Sequence, residues 1–227
     1  MLGATFSSPM FPPPSVEYPR VPTTVRPGTT TDLRVLLPPA DCDAPGGQAV
    51  VGLRYHFDGV EGVTEIAAND RMGQLRTVAA EDCRDGVVAE VASIEPAEQF
   101  TQTTIDGRPA ALLDFIVTPT GKGGTLTIDN VRGSPLVSLR DPNSGVVGET
   151  VPLGLDIGRT TTPTTFTLTL LAARCDPHVV LEDKRGTFFT FTVTTRQDTG
   201  VIFIGVDDTM RGSLYDFVAS ACGWPAK

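Results

Sequence analysis

The side chains best suited to chemistry in this chain are its two histidines, His56 and His178. His178 follows Cys175-Asp-Pro, an arrangement that could pair an imidazole with a thiol nucleophile. Cys42, the counterpart of Cys175 in the first half of the chain, has no histidine close behind it, which favours a disulfide at both positions. His56 falls within an alternating strand pattern, and we expect it on the surface of a strand.

Aspartates could act as a catalytic pair without histidine, as two carboxylates do in glycoside hydrolysis. The candidates lie beside turns and possible helix starts, and they are Asp41, Asp43, Asp70, Asp207 and Asp208. A turn or a helix N-cap explains each of them, so we expect structural roles. No metalloprotease, nucleophile-elbow, phosphate-loop, dinucleotide or calcium-loop motif is present. The sequence therefore predicts no catalytic residue, no cofactor site and no metal site.

The four cysteines are Cys42, Cys83, Cys175 and Cys222, one at each end of two similar stretches of chain. Three pairings are possible, and the similarity of the stretches selects Cys42 with Cys83 and Cys175 with Cys222. A zinc site would usually bring close C-x-x-C pairs, and none is present. Persistent disulfides require an oxidising compartment, so we expect an exported protein, extracellular or on the cell surface.

An internal repeat carries these cysteines, from about residue 33 to 83 and from about 166 to 222. In both copies an alternating apolar set leads to Cys-Asp, as in a strand with one buried face. The copies then align at the pairs Val63 and Val201, Ile66 and Ile204, Asp70 and Asp208, Met72 and Met210, and Leu75 and Leu214. A repeat of this length predicts two related domains rather than a solenoid.

The elements that position these residues are predicted to be short strands, because valine and threonine are abundant and the chain has 23 glycines and 19 prolines. The strands expected from alternation are 32–37, 49–57, 62–67, 86–94, 109–118, 124–130, 135–139 and 146–156. After Asp70 and Asp208, apolar residues at helical spacing predict a short helix in each copy, at 71–83 and 209–222, with the aspartates as N-caps.

The best break between domains is the turn-rich stretch 118–124, which has no apolar periodicity. We therefore expect a proline-rich extended linker at 1–20, a first domain at 21–120 and a second at 121–227. Residues 1–16 lack the basic start and the apolar core of a secretory signal. We expect that the exported protein has lost a leader or an N-terminal anchor segment.

This pattern of short strands, regular turns and one disulfide per domain resembles the tandem immunoglobulin-like domains of bacterial exported and surface proteins. The resemblance implies a mainly β chain with two related, disulfide-pinned β-sandwich domains, each with one short helix. Two features depart from the immunoglobulin pattern: each first cysteine ends its strand, and no tryptophan lies between the paired cysteines. A different disulfide-pinned sandwich is therefore an open alternative.

The net charge of −9 argues against nucleic-acid binding, which depends on lysine and arginine neutralising phosphates. No apolar run is long enough for a transmembrane helix. Since no reactive constellation is present, we expect a non-catalytic exported binding or adhesion module with a protein or glycan ligand. Two alternatives stay open: a structural spacer of a surface or lipid-anchored protein, and a secreted hydrolase with a carboxylate-based site.

Overall fold

The chain folds into two compact units, Met1–Arg84 and Asp85–Lys227, which we call unit 1 and unit 2. The computed structural model describes residues 1–12, 22–32, 34–158, 161–183 and 187–224. Every strand pair in these residues is antiparallel. The expectation of a mainly β chain is confirmed.

Unit 1 contains one sheet among its described residues, with the strand order β1-β2-β3. Its strands are β1 (Gly3–Ser7), β2 (Val50–Phe57) and β3 (Val60–Ala67). Asp58 and Gly59 join β2 to β3 with positive φ angles of 50° and 79°, the conformation of a type I′ turn. This two-residue turn fixes the register of the hairpin, with Phe57 opposite Val60.

Helix α1 (Gln74–Val91) follows the hairpin and begins after Asp70, as expected. The Asp70 carboxylate accepts hydrogen bonds from the backbone N–H groups of Gln74 and Leu75, at 2.8 and 2.9 Å. These bonds satisfy donors that a helix start otherwise leaves free. Leu75 also packs beside a small buried cluster of unit 1, which consists of Phe6, Phe11 and Ala49.

Helix α1 is 18 residues long, so the expected short helix was too short and the strand expected at 86–94 was wrong over its first part. The division between the units falls inside this helix. Val88 and Val91, three residues apart on one face, belong to the core of unit 2. Their β-branched side chains suggested a strand, and burial of this stripe favours the helix instead.

Unit 2 contains a four-stranded sheet with the order β10-β7-β12-β13 and a larger sheet with the order β4-β6-β11-β8-β9, in which β5 also pairs with β6. The strands of unit 2 are β4 (Ala92–Pro96), β5 (Thr101–Ile105), β6 (Arg108–Pro119), β7 (Leu126–Arg132), β8 (Val137–Arg140), β9 (Val147–Gly148), β10 (Thr150–Asp156), β11 (Thr164–Ala172), β12 (Phe188–Thr195) and β13 (Thr199–Gly205). One hydrophobic core includes side chains from both sheets.

Aromatic rings link the two sheets of unit 2 inside this core. Phe115 of β6 contacts Phe189 and Phe191 of β12 edge-on, with ring centroids 5.4 and 5.2 Å apart. Phe166 of β11 stacks on Phe115 at 5.6 Å. Such offset and edge-to-face pairs add to the stabilisation that burial of these rings already provides.

The outward faces of both sheets carry threonine. Thr190, Thr192 and Thr194 alternate with the buried residues of β12, and Thr165 and Thr167 take the same role on β11. The period of two places one set of side chains in the core and the other towards solvent. Threonine suits this position because its branched side chain packs on a pleated surface while its hydroxyl can bond to water or to a neighbouring strand, as Thr167 does to Asp114 and Thr194 to Asp129.

Two helices complete unit 2: the single turn α2 (Val179–Glu182) and α3 (Asp208–Ala221). The helix expected after Asp208 is present, but its N-cap is Asp207, whose carboxylate accepts the Met210 N–H at 2.7 Å. The residues of α3 that are buried in the core are Met210, Leu214, Phe217 and Val218. None of the helices in the described part of the chain is long and apolar enough to cross a membrane.

The two disulfides join Cys42 to Cys83 and Cys175 to Cys222, the pairing that the repeat predicts. Cys83 lies within α1, whereas Cys222 is the C-cap of α3. The paired cysteines are 41 residues apart in sequence in the first disulfide and 47 residues apart in the second. In the chain-entropy model, loops of this size contribute roughly 4 kcal/mol of stability.

The division between the units differs from the expected boundary at 120/121. Strand β6 (Arg108–Pro119) pairs with β11 (Thr164–Ala172), so the residues before and after that boundary share one sheet. The turn-rich stretch 118–124 lies inside unit 2: its first two residues end β6, and the rest belong to the loop that leads to β7, a strand of the same core.

The start of unit 1 also differs from the sequence expectations. The linker expected at 1–20 contains β1 (Gly3–Ser7), whose Ala4 and Phe6 are buried, while residues 13–20 lie outside the described residues. Residues 34–37 form no strand, although Val35 and Leu37 pack against the buried cluster of unit 1. Where two packed sheets were expected for the first domain, the described residues form a single sheet.

Candidate binding surface

The structure separates the side chains that could have formed a catalytic group. His56 lies on β2 of unit 1, exposed and directly opposite Glu61 of β3. His178 lies in unit 2, in the turn before α2, where its backbone N–H donates to Asp176 at 3.0 Å. Since Cys175 is part of a disulfide, no thiol is available to pair with His178.

The candidate aspartates have local structural roles. Asp41 accepts a hydrogen bond from the Asp43 N–H at 3.1 Å in a turn, and Asp70 and Asp207 cap α1 and α3. Asp208 forms an ion pair with Arg211 at 2.7 Å on the surface of α3. Among the described residues, no group of three or more His, Cys, Asp or Glu side chains is placed to hold a metal ion.

A depression of about 450 Å³ in unit 2 is lined by side chains of both charges, Arg132, Glu149, Arg174 and Glu182 among them. Arg174 and Glu182 are paired at 2.7 Å, and the hydrogen bond to Glu182 raises the pKa of Arg174. This ion pair holds Arg174 in its charged form and engages the carboxylate of Glu182. Two of the charged side chains that line the depression are therefore engaged with each other.

A second depression of unit 2, of about 460 Å³, lies between the loop at 98–102 and the start of α3. Glu98 and Asp207 both line it, the arrangement that a carboxylate-based hydrolase would need. Asp207 is already engaged with the N–H of Met210 as the helix cap. One of the two carboxylates that line the cleft therefore has a structural role in α3.

One face of the β2–β3 hairpin in unit 1 exposes several large apolar side chains to solvent. The register places the odd-numbered residues of β2 and the even-numbered residues of β3 on the same face. The exposed apolar side chains of this face, which we call the apolar hairpin face, are Tyr55, Phe57, Val60 and Ile66. Phe57, Val60 and Ile66 are 75%, 67% and 51% exposed.

The face is continuous with the buried cluster of unit 1 at its other end. Val51, Leu53 and Tyr55 succeed one another along β2, and their exposure increases towards the turn. On the neighbouring strand β1, Ala4 stands opposite Leu53 and Phe6 opposite Val51, and both are buried. This apolar sheet face is thus covered where β1 lies beside β2, and open to solvent at the turn and along the edge strand β3, where Ile66 stands opposite Val51.

The Tyr55 ring covers the backbone of Gly62, its partner across the hairpin. A Cβ atom at Gly62 would lie only 2.6 Å from the ring of Tyr55, so the ring occupies the space that a side chain would fill. Aromatic rings placed over a cross-strand glycine in this way stabilise a sheet. This contact holds Tyr55 flat against the exposed end of the face.

The alternation of Val51, Leu53, Tyr55 and Phe57 is visible in the sequence and indicates an apolar strand face. Sequence reasoning missed that part of this face is exposed, since alternation alone does not tell whether a second layer covers the strand. No family model, no curated protein and no solved structure matches this chain. The case for a function therefore depends on the geometry of the chain itself.

Proposed function

We propose that this protein is an exported, non-catalytic binding module that holds a protein partner through the apolar hairpin face of unit 1. The observation that carries the proposal is the exposure of Tyr55, Phe57, Val60 and Ile66 on one side of the hairpin. Contiguous exposed apolar surface often marks an interaction site, and tyrosine and phenylalanine are enriched at interfaces.

The hairpin is a preorganised platform for such a partner. The Asp58-Gly59 turn fixes the strand register, and the Cys42–Cys83 disulfide constrains the segments that flank the sheet. A surface that is already ordered loses little conformational entropy on binding, which favours affinity. Both disulfides support an oxidising compartment, and therefore an extracellular or cell-surface location.

The alternatives receive less support from the geometry. A spacer needs solubility and length, and it has no use for an exposed phenylalanine at a hairpin tip. A hydrolase needs two working carboxylates, and the cleft beside Glu98 has its other carboxylate engaged in a helix cap. For unit 2, we propose a disulfide-pinned β-sandwich of immunoglobulin-like type as the scaffold, supported by two antiparallel sheets with one common core.

The test compares two exposed phenylalanines, Phe57 on the apolar hairpin face and Phe203 on β13 of unit 2. Fluorescent full-length protein is titrated onto the surface of the cells that produce it, as wild type, Phe57→Ser and Phe203→Ser. We expect Phe57→Ser to weaken saturable binding by at least about tenfold, as loss of an interface anchor does, and Phe203→Ser to leave it unchanged.

Protease treatment of the cells should remove this binding, because the proposed partner is a protein. Binding that survives protease but is lost after glycosidase treatment would indicate a glycan ligand instead. Equal effects of the two serine variants, or an absence of saturable binding, would overturn the proposal and favour a spacer.

A further inference from the structure

The outer edge of β3 carries backbone groups that no strand of the described chain pairs with. β3 stands at the end of the sheet order β1-β2-β3 and pairs with β2 alone. Phe57 and Val60 flank the two-residue turn and form a hydrogen-bonded pair, so the ladder uses alternate residues of β3 from Val60 onwards. The N–H and C=O groups of Glu61, Val63 and Glu65 consequently point away from β2.

An edge strand with outward backbone groups that are unpaired among the described residues can accept an added strand. β3 is eight residues long, and every residue of the strand except Gly62 is exposed. Natural sheets shield such an edge with a bulge, a proline, charged side chains or a covering segment, and of these devices β3 carries the charges of Glu61 and Glu65. The pairing of β3 with β2 runs without a register shift, and the strand contains no proline.

The two faces of β3 differ in character. Val60 and Ile66 belong to the apolar hairpin face, whereas Glu61 and Glu65 lie four residues apart on the opposite face, on either side of Val63. Arg54 of β2 stands opposite Val63 and brings one positive charge to that face. His56 stands opposite Glu61 on the same face, and with histidine counted as neutral the two glutamates and one arginine leave this face with a negative formal charge.

We infer that the edge of β3 is a strand-addition site for an extended segment of the partner protein in which apolar residues alternate with polar ones, with lysine or arginine four residues apart. The inference rests on the proposed function, because it specifies how the partner reaches the apolar hairpin face. The added strand pairs its backbone with Glu61, Val63 and Glu65. Its basic side chains lie opposite the two glutamates, and its apolar side chains extend the face beside Val60 and Ile66.

A second copy of this chain fits the edge less well. Pairing β3 with β3 so that the two apolar faces lie on the same side brings four carboxylates together on the other side, Glu61 and Glu65 from each copy. Like charges that face one another across strands destabilise a sheet. Charge complementarity therefore selects a basic strand of a different protein.

The probe for this site is the peptide Val-Lys-Ile-Thr-Val-Lys-Ile, which places two lysines four residues apart on one face and apolar residues on the other. Its binding to the full chain is followed by fluorescence anisotropy and by hydrogen exchange at single amides. We expect saturable binding that slows exchange at Glu61, Val63 and Glu65. Replacing both lysines with glutamate should weaken binding about tenfold, since two cross-strand ion pairs become repulsive.

Backbone methylation of the peptide distinguishes strand pairing from contact through side chains. One peptide is methylated on the backbone nitrogen of its threonine, and another on the backbone nitrogen of the valine that follows the threonine. Successive N–H groups of a strand point to opposite sides, so only one of the two methyl groups faces β3. We expect one methylated peptide to bind at least about tenfold more weakly and the other to bind within about twofold of the parent, because one lost donor breaks the added ladder. Equal affinities would overturn strand addition.

Protein variants test the same edge from the other side. The double variant Glu61→Lys with Glu65→Lys should reverse the preference, so that the glutamate peptide binds more tightly than the lysine peptide. Val63→Pro removes an outward N–H that the β2–β3 ladder does not use, and it should abolish binding, whereas Val63→Thr keeps the donor and should not. An unchanged peptide preference in the double variant would overturn the inference.

Failure of this inference is distinguishable from failure of the proposed function. If the cells bind the protein through Phe57 while the edge variants and the methylated peptides have no effect, the apolar hairpin face is the binding surface and strand addition is wrong. If Phe57→Ser leaves cell binding unchanged, the proposed function is wrong, whatever the peptide does. No peptide binding at millimolar concentration overturns strand addition alone.

Discussion

The two halves of this chain build the same local unit, a hairpin followed by a helix with a disulfide, and they bury it to different extents. In unit 2, Phe189, Phe191 and Val193 of β12 are fully buried. In unit 1, the corresponding strand β2 begins half-buried and ends exposed at Phe57. The same contrast holds between the helices, since Leu214 of α3 is buried whereas Leu75 of α1 is half-buried.

The difference follows from the neighbours of each hairpin. β12 has β7 as a second neighbour in its sheet, and its core face meets the aromatic rings of the other sheet of unit 2. β2 has the five-residue strand β1 as its second neighbour, and the described residues of unit 1 form no second sheet. A sequence pattern thus specifies which face of a strand is apolar, and the rest of the chain determines whether that face becomes core or surface.

The largest expected effect on this comparison comes from the disulfides. Replacing Cys42 and Cys83 with alanine should unfold unit 1, because its buried cluster is small and the bond contributes roughly 4 kcal/mol. Replacing Cys175 and Cys222 should destabilise unit 2 and leave it folded, since its core draws on two sheets. Hydrogen exchange measured peptide by peptide would show loss of protection in β2 and β3 in the first variant alone. Retained protection there would mean that the small cluster suffices.

The second prediction compares a buried phenylalanine of β12 with an exposed phenylalanine of β2. Phe191→Ala should lower the free energy of unfolding by about 3 kcal/mol or more, because it opens a cavity beside Phe115 and Phe166. Phe57→Ala should change it by less than about 0.5 kcal/mol, since its side chain is mostly exposed. Urea denaturation of both variants measures the two values. Comparable losses would contradict the exposure of the apolar hairpin face.

A smaller effect is expected at the two helix caps. Asp70→Ala and Asp207→Ala should each cost about 1 kcal/mol, and Asp70 should cost more, because its carboxylate accepts two backbone N–H groups and that of Asp207 accepts one. Exchange rates of the first-turn amides, Gln74 in α1 and Met210 in α3, measure the loss locally. The asparagine variants keep an acceptor and serve as controls, and an equal loss in them would argue against capping.

The smallest effect concerns how α3 is held in place. The Tyr215 hydroxyl donates to the Asp183 carboxylate at 3.0 Å, and Thr187 donates to the same oxygen at 3.1 Å. Burial, and then the hydrogen bond to Asp183, raise the pKa of Tyr215 above its ordinary value of 10.0. Because the folded state holds this proton more tightly than the unfolded state, the resulting stability is complete below the ordinary tyrosine pKa and is lost as pH rises through the folded-state pKa.

Denaturation curves of wild type and Tyr215→Phe between pH 8 and about pH 11 test this linkage, since an unperturbed tyrosine titrates near pH 10. The wild type should be more stable than the variant at pH 8, and the difference should shrink above about pH 10 as the tyrosine ionises. A difference that does not change with pH would show that the hydroxyl titrates alike in both states. Unit 1 provides an internal reference for this pH dependence, because the corresponding contact of α1 involves no tyrosine. There, the Asp82 carboxylate accepts the Ala40 N–H at 2.6 Å.

Much of the local structure could be predicted from residues that act on their near neighbours. Asp70 marked the start of a helix, the repeat predicted both disulfides, and alternation located β2, β6 and β7 to within a few residues. One available signal was overlooked. Asp106 and Gly107, with φ angles of 51° and 74°, form the same kind of turn as Asp58 and Gly59 and connect β5 to β6.

The parts that could not be predicted depend on contacts between distant segments. Asp85 and Gly86 form the same dipeptide as the two hairpin turns, yet they lie inside α1. The pairing of β6 with β11, which moved the expected domain boundary, joins residues more than forty positions apart, such as Phe115 and Phe166. The candidate binding surface is of the same kind, because its exposure depends on which other segments cover the sheet, and the described residues of unit 1 form no second sheet over it.

The threonine rows on the outward faces of unit 2 have a consequence for the conditions under which the protein can work. A hydroxyl group has no charge to gain or lose between acid and alkaline solution, and dissolved salt does not screen its hydration. Thr190, Thr192 and Thr165 therefore keep their affinity for water as acidity and salinity change, whereas the hydroxyls of Thr167 and Thr194 donate to the carboxylates of Asp114 and Asp129. These two hydrogen bonds join neighbouring strands on the outward face of each sheet, so the threonine rows also support the pairing of β11 with β6 and of β12 with β7.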